Sequence, residues 1–167
     1  MMNVLIVKPA ITGRERKLHK LIAELQRSKN EAVFGGWNDA CRPVENEYIK
    51  KNGINLLINF NLQGFEHSTL AGGIAYNLLD CKQIHILLDE HPDNEKYFSK
   101  RLSISMFFYC LGDEYYNYLI EKYPDIPYLK KIDYWNETQD EGAAKENAQT
   151  LHKIISEVAE LCHMDYK

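Results

Sequence analysis

Hydrophobic positions follow two different rhythms along this chain. Short unbroken apolar runs occupy residues 3–8 (NVLIVK), 54–60 (INLLINF), 82–88 (KQIHILL) and 103–110 (SISMFFYC). A run that is apolar at successive positions, not only at alternate ones, suits a strand covered on both faces. Pro9 lacks the donor a ladder needs and ends the first run. Between the runs, apolar residues recur every three or four positions, which predicts helices. Leu18, Leu21, Ile22 and Leu25 share one stripe of a helix over 12–28, with Thr12 at its N-cap position. A short helix over 44–51 stops at Asn52-Gly53. The spacing of Leu70, Ile74 and Leu78 predicts a helix over 69–79. Two glycines inside it each cost about 1 kcal/mol relative to alanine, so close packing or a close ligand must offset them. Residues 93–101 read as a short helix or turn. Residues 112–123 read as a helix with Tyr115, Leu119 and Ile120 on its stripe. Ala144, Ala148, Leu151, Ile155, Val158 and Cys162 form a narrow apolar seam on a last helix.

Weaker signals fill the gaps. A short second strand is expected within 31–37 (EAVFGGW), interrupted by Gly35-Gly36. Pro124 and Pro127 close one helix and begin an extended segment, IPYLKKI. Strand and helix alternate throughout, which predicts βαβ units. The expected fold is α/β: a single doubly wound, mostly parallel sheet with helices on both faces, Rossmann-like or flavodoxin-like. The 167 residues are enough for one domain with a full core, spanning 1–167.

Composition removes several classes of function. The net charge of −4 argues against a nucleic-acid binder, which shows a basic face. Lys50-Lys51 and Lys130-Lys131 are only pairs and read as solvated lysines. No apolar stretch approaches the roughly 20 residues that span a bilayer, so no membrane span is expected. The start, MMNVLIVKPA, lacks the basic region of a signal peptide. Cys41, Cys81, Cys110 and Cys162 lie far apart with no C-x-x-C. Reduced thiols and a cytoplasmic location are the expectation.

Ligands of open parallel sheets bind outside the carboxyl ends of the strands, where the strand order reverses. The residues that follow the strands are therefore the candidate site. Thr12, Gly13 and Arg14 follow the first. Asn61, Gln63, Gly64 and Phe65 follow the run 54–60. Asp89, Glu90 and His91 follow the run 82–88. Amides suit a polar ligand, Gly64 permits close backbone approach, and helix N-termini nearby favour a phosphate or carboxylate. His91 is the candidate general base, with Asp89 beside it, because imidazole titrates near neutrality. The same residues also have structural readings, as caps and turn formers. His85 lies between Ile84 and Ile86 and reads as packed. There is no G-x-S-x-G, no P-loop and no G-x-G-x-x-G after a strand. Asp89, Glu90, His91 and Asp93 lack helical ligand spacing, so no metal is expected, and no cofactor is specified.

The stretches INLLINFNLQGFE, GGIAYNLLDCKQIHILLDEHPDN, SISMFFYC and YPDIPYLKKI, over about residues 54–132, resemble the amino-terminal half of GT-B-type glycosyltransferases, especially the spore-maturation-like group. The resemblance implies a Rossmann-like domain that binds a small polar or phosphorylated ligand: either part of a transferase completed by a separate partner chain, or a remnant that binds an acceptor or a glycan. Such enzymes hold the nucleotide-sugar donor largely with a second domain. The opening MNVLIVKPAITGRERKLHKLIAELQ is similar to flavodoxins, which implies the alternative of an FMN-binding electron carrier. Only Thr12-Gly13 matches the hydroxyl-rich phosphate loop of that family. A third alternative is a non-enzymatic interaction domain. The seam of the last helix then docks on the sheet, on a second copy in a homodimer, or on a partner chain.

Overall fold

The computed structural model describes residues 2–7, 20, 21, 23–25, 33, 34, 45–66, 68–88, 92–137 and 141–164. Six strands form one sheet: β1 (Asn3–Ile6), β2 (Val33–Phe34), β3 (Ile54–Phe60), β4 (Lys82–Leu87), β5 (Met106–Leu111) and β6 (Leu129–Ile132). Their order is β2-β1-β3-β4-β5-β6, and every neighbouring pair is parallel. The described helices are α1 (Asn46–Lys51), α2 (Pro92–Phe98), α3 (Asp113–Lys122) and α4 (Glu141–Leu161). Residues 20, 21 and 23–25 are also helical.

The unbroken apolar runs have a direct cause. Successive side chains of one strand enter different clusters. Val4, Ile6, Leu56, Ile58, Ile84, Ile86, Phe107 and Tyr109 belong to one cluster, with Ala148, Leu151, Ile155 and Val158 of α4 and with Leu21 and Leu25. Leu5, Leu57, Leu87, Phe108 and Cys110 belong to the other, with Ile49 of α1, Tyr97 and Phe98 of α2, and Tyr115 and Leu119 of α3. A strand covered on both faces is therefore apolar at most successive positions, not only at alternate ones. Each fully buried Leu, Ile or Phe contributes about 1.5–3 kcal/mol.

The expected parallel sheet is present, and two local expectations are corrected. There is no α-helix over 69–79. Ser68 and Ile74 form an antiparallel bridge, followed by a 3₁₀ turn at Ala75–Leu78. Thr69 closes the loop: its N–H donates to the Gly73 carbonyl at 2.8 Å, and its Oγ1 accepts from the Gly73 N–H at 3.1 Å. Gly72 has φ +78, a left-handed conformation that glycine adopts without steric cost. Leu70 is fully exposed while Ile74 is buried, so their helical spacing marks no common buried face. The fifth strand starts at Met106, not at residue 103. Met106 N–H donates to the Ser103 carbonyl at 3.0 Å, and Ser105 N–H donates to Ser103 Oγ at 3.2 Å, so 103–105 form a turn. The IPYLKKI segment supplies β6, an edge strand. Lys130 and Lys131 are exposed on it, the charged protection that edges commonly carry.

The strand order contains a reversal of winding. The chain steps one way from β1 to β2, crosses back to β3, then continues the other way through β6. β1 and β3 are the neighbours at which the winding reverses.

Candidate functional site at the ends of β3 and β4

The carboxyl end of β3 leads into a tight turn over residues 61–66. Asn61 has φ +50, Leu62 φ +53 and Gly64 φ +85. Asparagine and glycine visit this region readily. Leu62 does so at a steric cost of about 1–2 kcal/mol, and the burial of its side chain offsets that cost. Gln63 N–H donates to the Phe60 carbonyl at 3.2 Å, and Phe65 N–H to the Leu62 carbonyl at 3.0 Å.

Asn61 joins this turn to the neighbouring strand. Its N–H donates to the Ile86 carbonyl, and its Oδ1 accepts from the Leu88 N–H, both at 2.8 Å. On the other side, Val7 N–H donates to the Ile58 carbonyl at 2.8 Å. The ends of β1, β3 and β4 therefore stand side by side. Asn61 and Gln63 are partly exposed at this end, and Glu66 is exposed.

Phe65 turns inward. Its ring lies 5.2 Å from Tyr76, 4.8 Å from His85 and 5.6 Å from Tyr97, and is 1% exposed. Gly64 is buried, and a Cβ there would come within 3.0 Å of the Tyr76 hydroxyl. In this structure the missing side chain makes room for Tyr76. Thr12, Gly13, Arg14, Asp89, Glu90 and His91 lie outside the described residues. Leu88, which Asn61 holds, directly precedes the last three.

Beneath the turn lies a polar group that the apolar periodicity does not bring together. Asn59, Gln83 and His85 are fully buried. Asn59 pairs with His85 across β3 and β4, and all three side chains interrupt apolar strands. That interruption is the signal the sequence carries: Gln83 and His85 are two apart and so share a face. Asn59 Nδ2 donates to the Gln63 carbonyl at 2.8 Å, supporting the turn from below. Gln83 Nε2 donates to the Tyr76 carbonyl at 2.7 Å, and Gln83 Oε1 lies 3.2 Å from His85 Nε2. The imidazole stacks on Phe108 at 5.1 Å. Burial pushes its pKa down to about 3, so it is neutral near pH 7 and packed, as its place in the strand predicts. Burial likewise pushes the thiols of Cys81 and Cys110 up to about 12, which keeps them protonated and unreactive.

A second polar group ties α4 to the far edge of the sheet. Tyr128 donates to Glu157, and Lys130 pairs with the same carboxylate. Among the described residues there is no group of three or more His, Cys, Asp or Glu able to hold a metal, and no helix is long and apolar enough to cross a membrane. In comparisons with protein-family models, with curated proteins and with solved structures, nothing matches the chain.

Proposed function

We propose that the protein binds a small polar or phosphorylated ligand in the crevice at the carboxyl ends of β1, β3 and β4. Asn61 and Gln63 present amide groups to it, and Thr12-Gly13-Arg14 and Asp89-Glu90-His91, which follow β1 and β4 in the sequence, are the further residues in this reading. The observation that carries this reading is the reversal of strand order between β1 and β3. At such a point, loops diverge to opposite sides of the sheet and leave a crevice. The same reading relates the chain to the amino-terminal halves of GT-B-type glycosyltransferases, with a partner chain supplying donor-binding surface. His91 is the residue that moves a proton if a reaction takes place.

A thermal-shift panel of nucleotides, nucleotide sugars and FMN tests this. A compound that binds the native state alone raises the melting temperature with its concentration. Gln63→Ala and His91→Ala should weaken that shift and leave the unliganded melting temperature nearly unchanged. A panel without any stabiliser counts against the reading, and so does an identical shift in both variants.

One observation favours a second reading. The order β2-β1-β3-β4-β5 is also that of flavodoxins. An FMN-binding electron carrier would show flavin absorbance in the purified protein, or stabilisation by FMN and not by nucleotide sugars.

A further inference from the structure

We propose that a single water molecule is bound inside the core between Asn59 and His85, donating one hydrogen to Asn59 Oδ1 and the other to His85 Nδ1. The orientations of the surrounding groups lead to this step by step. The Tyr76 carbonyl can only accept, so the end of Gln83 that faces it at 2.7 Å is the amide nitrogen. That turns Gln83 Oε1, an acceptor, toward His85 Nε2 at 3.2 Å. His85 Nε2 therefore carries the ring proton and donates, and in the neutral ring Nδ1 is a bare acceptor. The Gln63 carbonyl fixes Asn59 in the same way. It accepts from Nδ2 at 2.8 Å, which leaves Oδ1 as the remaining acceptor.

Asn59 Oδ1 and His85 Nδ1 are both buried without a hydrogen-bond partner among the described residues. They belong to residues paired across β3 and β4 and so lie on one face of the sheet. Two acceptors cannot satisfy each other. Reversing either amide only moves the conflict onto a carbonyl. The group that completes this arrangement must donate two hydrogens and must be small enough for a core in which Asn59 and His85 are each 0% exposed. Water meets both requirements, and buried waters typically serve such otherwise unpaired groups.

The experiment is nuclear magnetic resonance on the intact, ¹⁵N-labelled protein near neutral pH. The nitrogen shifts of His85 should show Nε2 protonated and Nδ1 unprotonated but hydrogen-bonded. A cross-peak of dipolar origin should join the His85 ring proton between the two nitrogens to a long-lived water. Asn59→Val should abolish that cross-peak and shift Nδ1 toward a free acceptor, with Nε2 still protonated. A proton on Nδ1 in the unsubstituted protein, donating directly to Asn59, would overturn the proposal. So would the Nε2–H tautomer with no water cross-peak. Both of these results are read in the unsubstituted protein, so they hold even if Asn59→Val does not fold.

Discussion

Gly64 meets two constraints at one position. Its φ of +85 is unfavourable for any residue with a side chain, and a Cβ would sit 3.0 Å from the Tyr76 hydroxyl. Gly64→Ala should therefore lower stability by about 1–3 kcal/mol, read as a reduced urea midpoint with unchanged slope. Asn61 separates two effects that usually travel together. Asn61→Gly loses the bond to the Leu88 N–H but keeps the left-handed backbone accessible. A typical bond of this kind contributes about 1 kcal/mol. Asn61→Ala loses the bond and adds the steric penalty, so it should be the less stable of the two in the same urea experiment. Equal losses would mean that the backbone at φ +50 imposes no constraint. His85 makes a prediction about pH. Its pKa falls from 6.5 to about 3 on folding, so between those values the unfolded chain binds the extra proton. Stability then rises with pH through this window and is lost as pH falls from 6.5 toward 3. The slope from this residue approaches about 1.4 kcal/mol per pH unit. His85→Phe should remove about one proton from the measured difference in uptake on unfolding; an unchanged pH dependence would show that His85 does not titrate between these states.

At the scale of elements, α4 offers the cleanest contrast. Leu151 is fully buried against the sheet cluster that holds Leu56 and Ile84, while Leu161 at the helix end is 53% exposed. Leu151→Ala should cost about 2–5 kcal/mol, and Leu161→Ala should leave thermal unfolding nearly unchanged. Elements whose apolar pattern is used for burial were readable in the sequence. The seam of α4 and the runs of β3 and β4 are of this kind, because their apolar positions are matched by packing partners. The segment 69–79 misled for the opposite reason. Leu70 and Leu78 have helical spacing but are exposed, and the Thr69–Gly73 bonds with Gly72 at positive φ close a loop instead. β6 was legible only as extended chain, since Lys130 and Lys131 face solvent on an edge and leave almost no apolar signature. The left-handed turn at Asn61 and Leu62 follows no periodicity. The pairing of Asn59 with His85 depends on strand register, which no local pattern encodes.

For the whole molecule, the order β2-β1-β3-β4-β5-β6 is what turns separate strand ends into one candidate site. The apolar runs predicted a parallel sheet, but they did not specify this order. The order places the winding reversal beside the end of β3, and Asn61 ties the turn that follows it to β4. The proposed binding of a small polar or phosphorylated ligand at this end can be tested residue by residue. The measurement is a titration of ¹⁵N-labelled protein with the compound that stabilises it most in the thermal-shift panel, followed by amide chemical shifts. Saturable shifts should concentrate at Asn61, Gln63, Gly64, Phe65 and Leu88, with Ile104 and Ser105, just ahead of β5, unmoved. Shifts centred on α4 or on the β6 edge, with the turn after β3 unchanged, would contradict binding at this site.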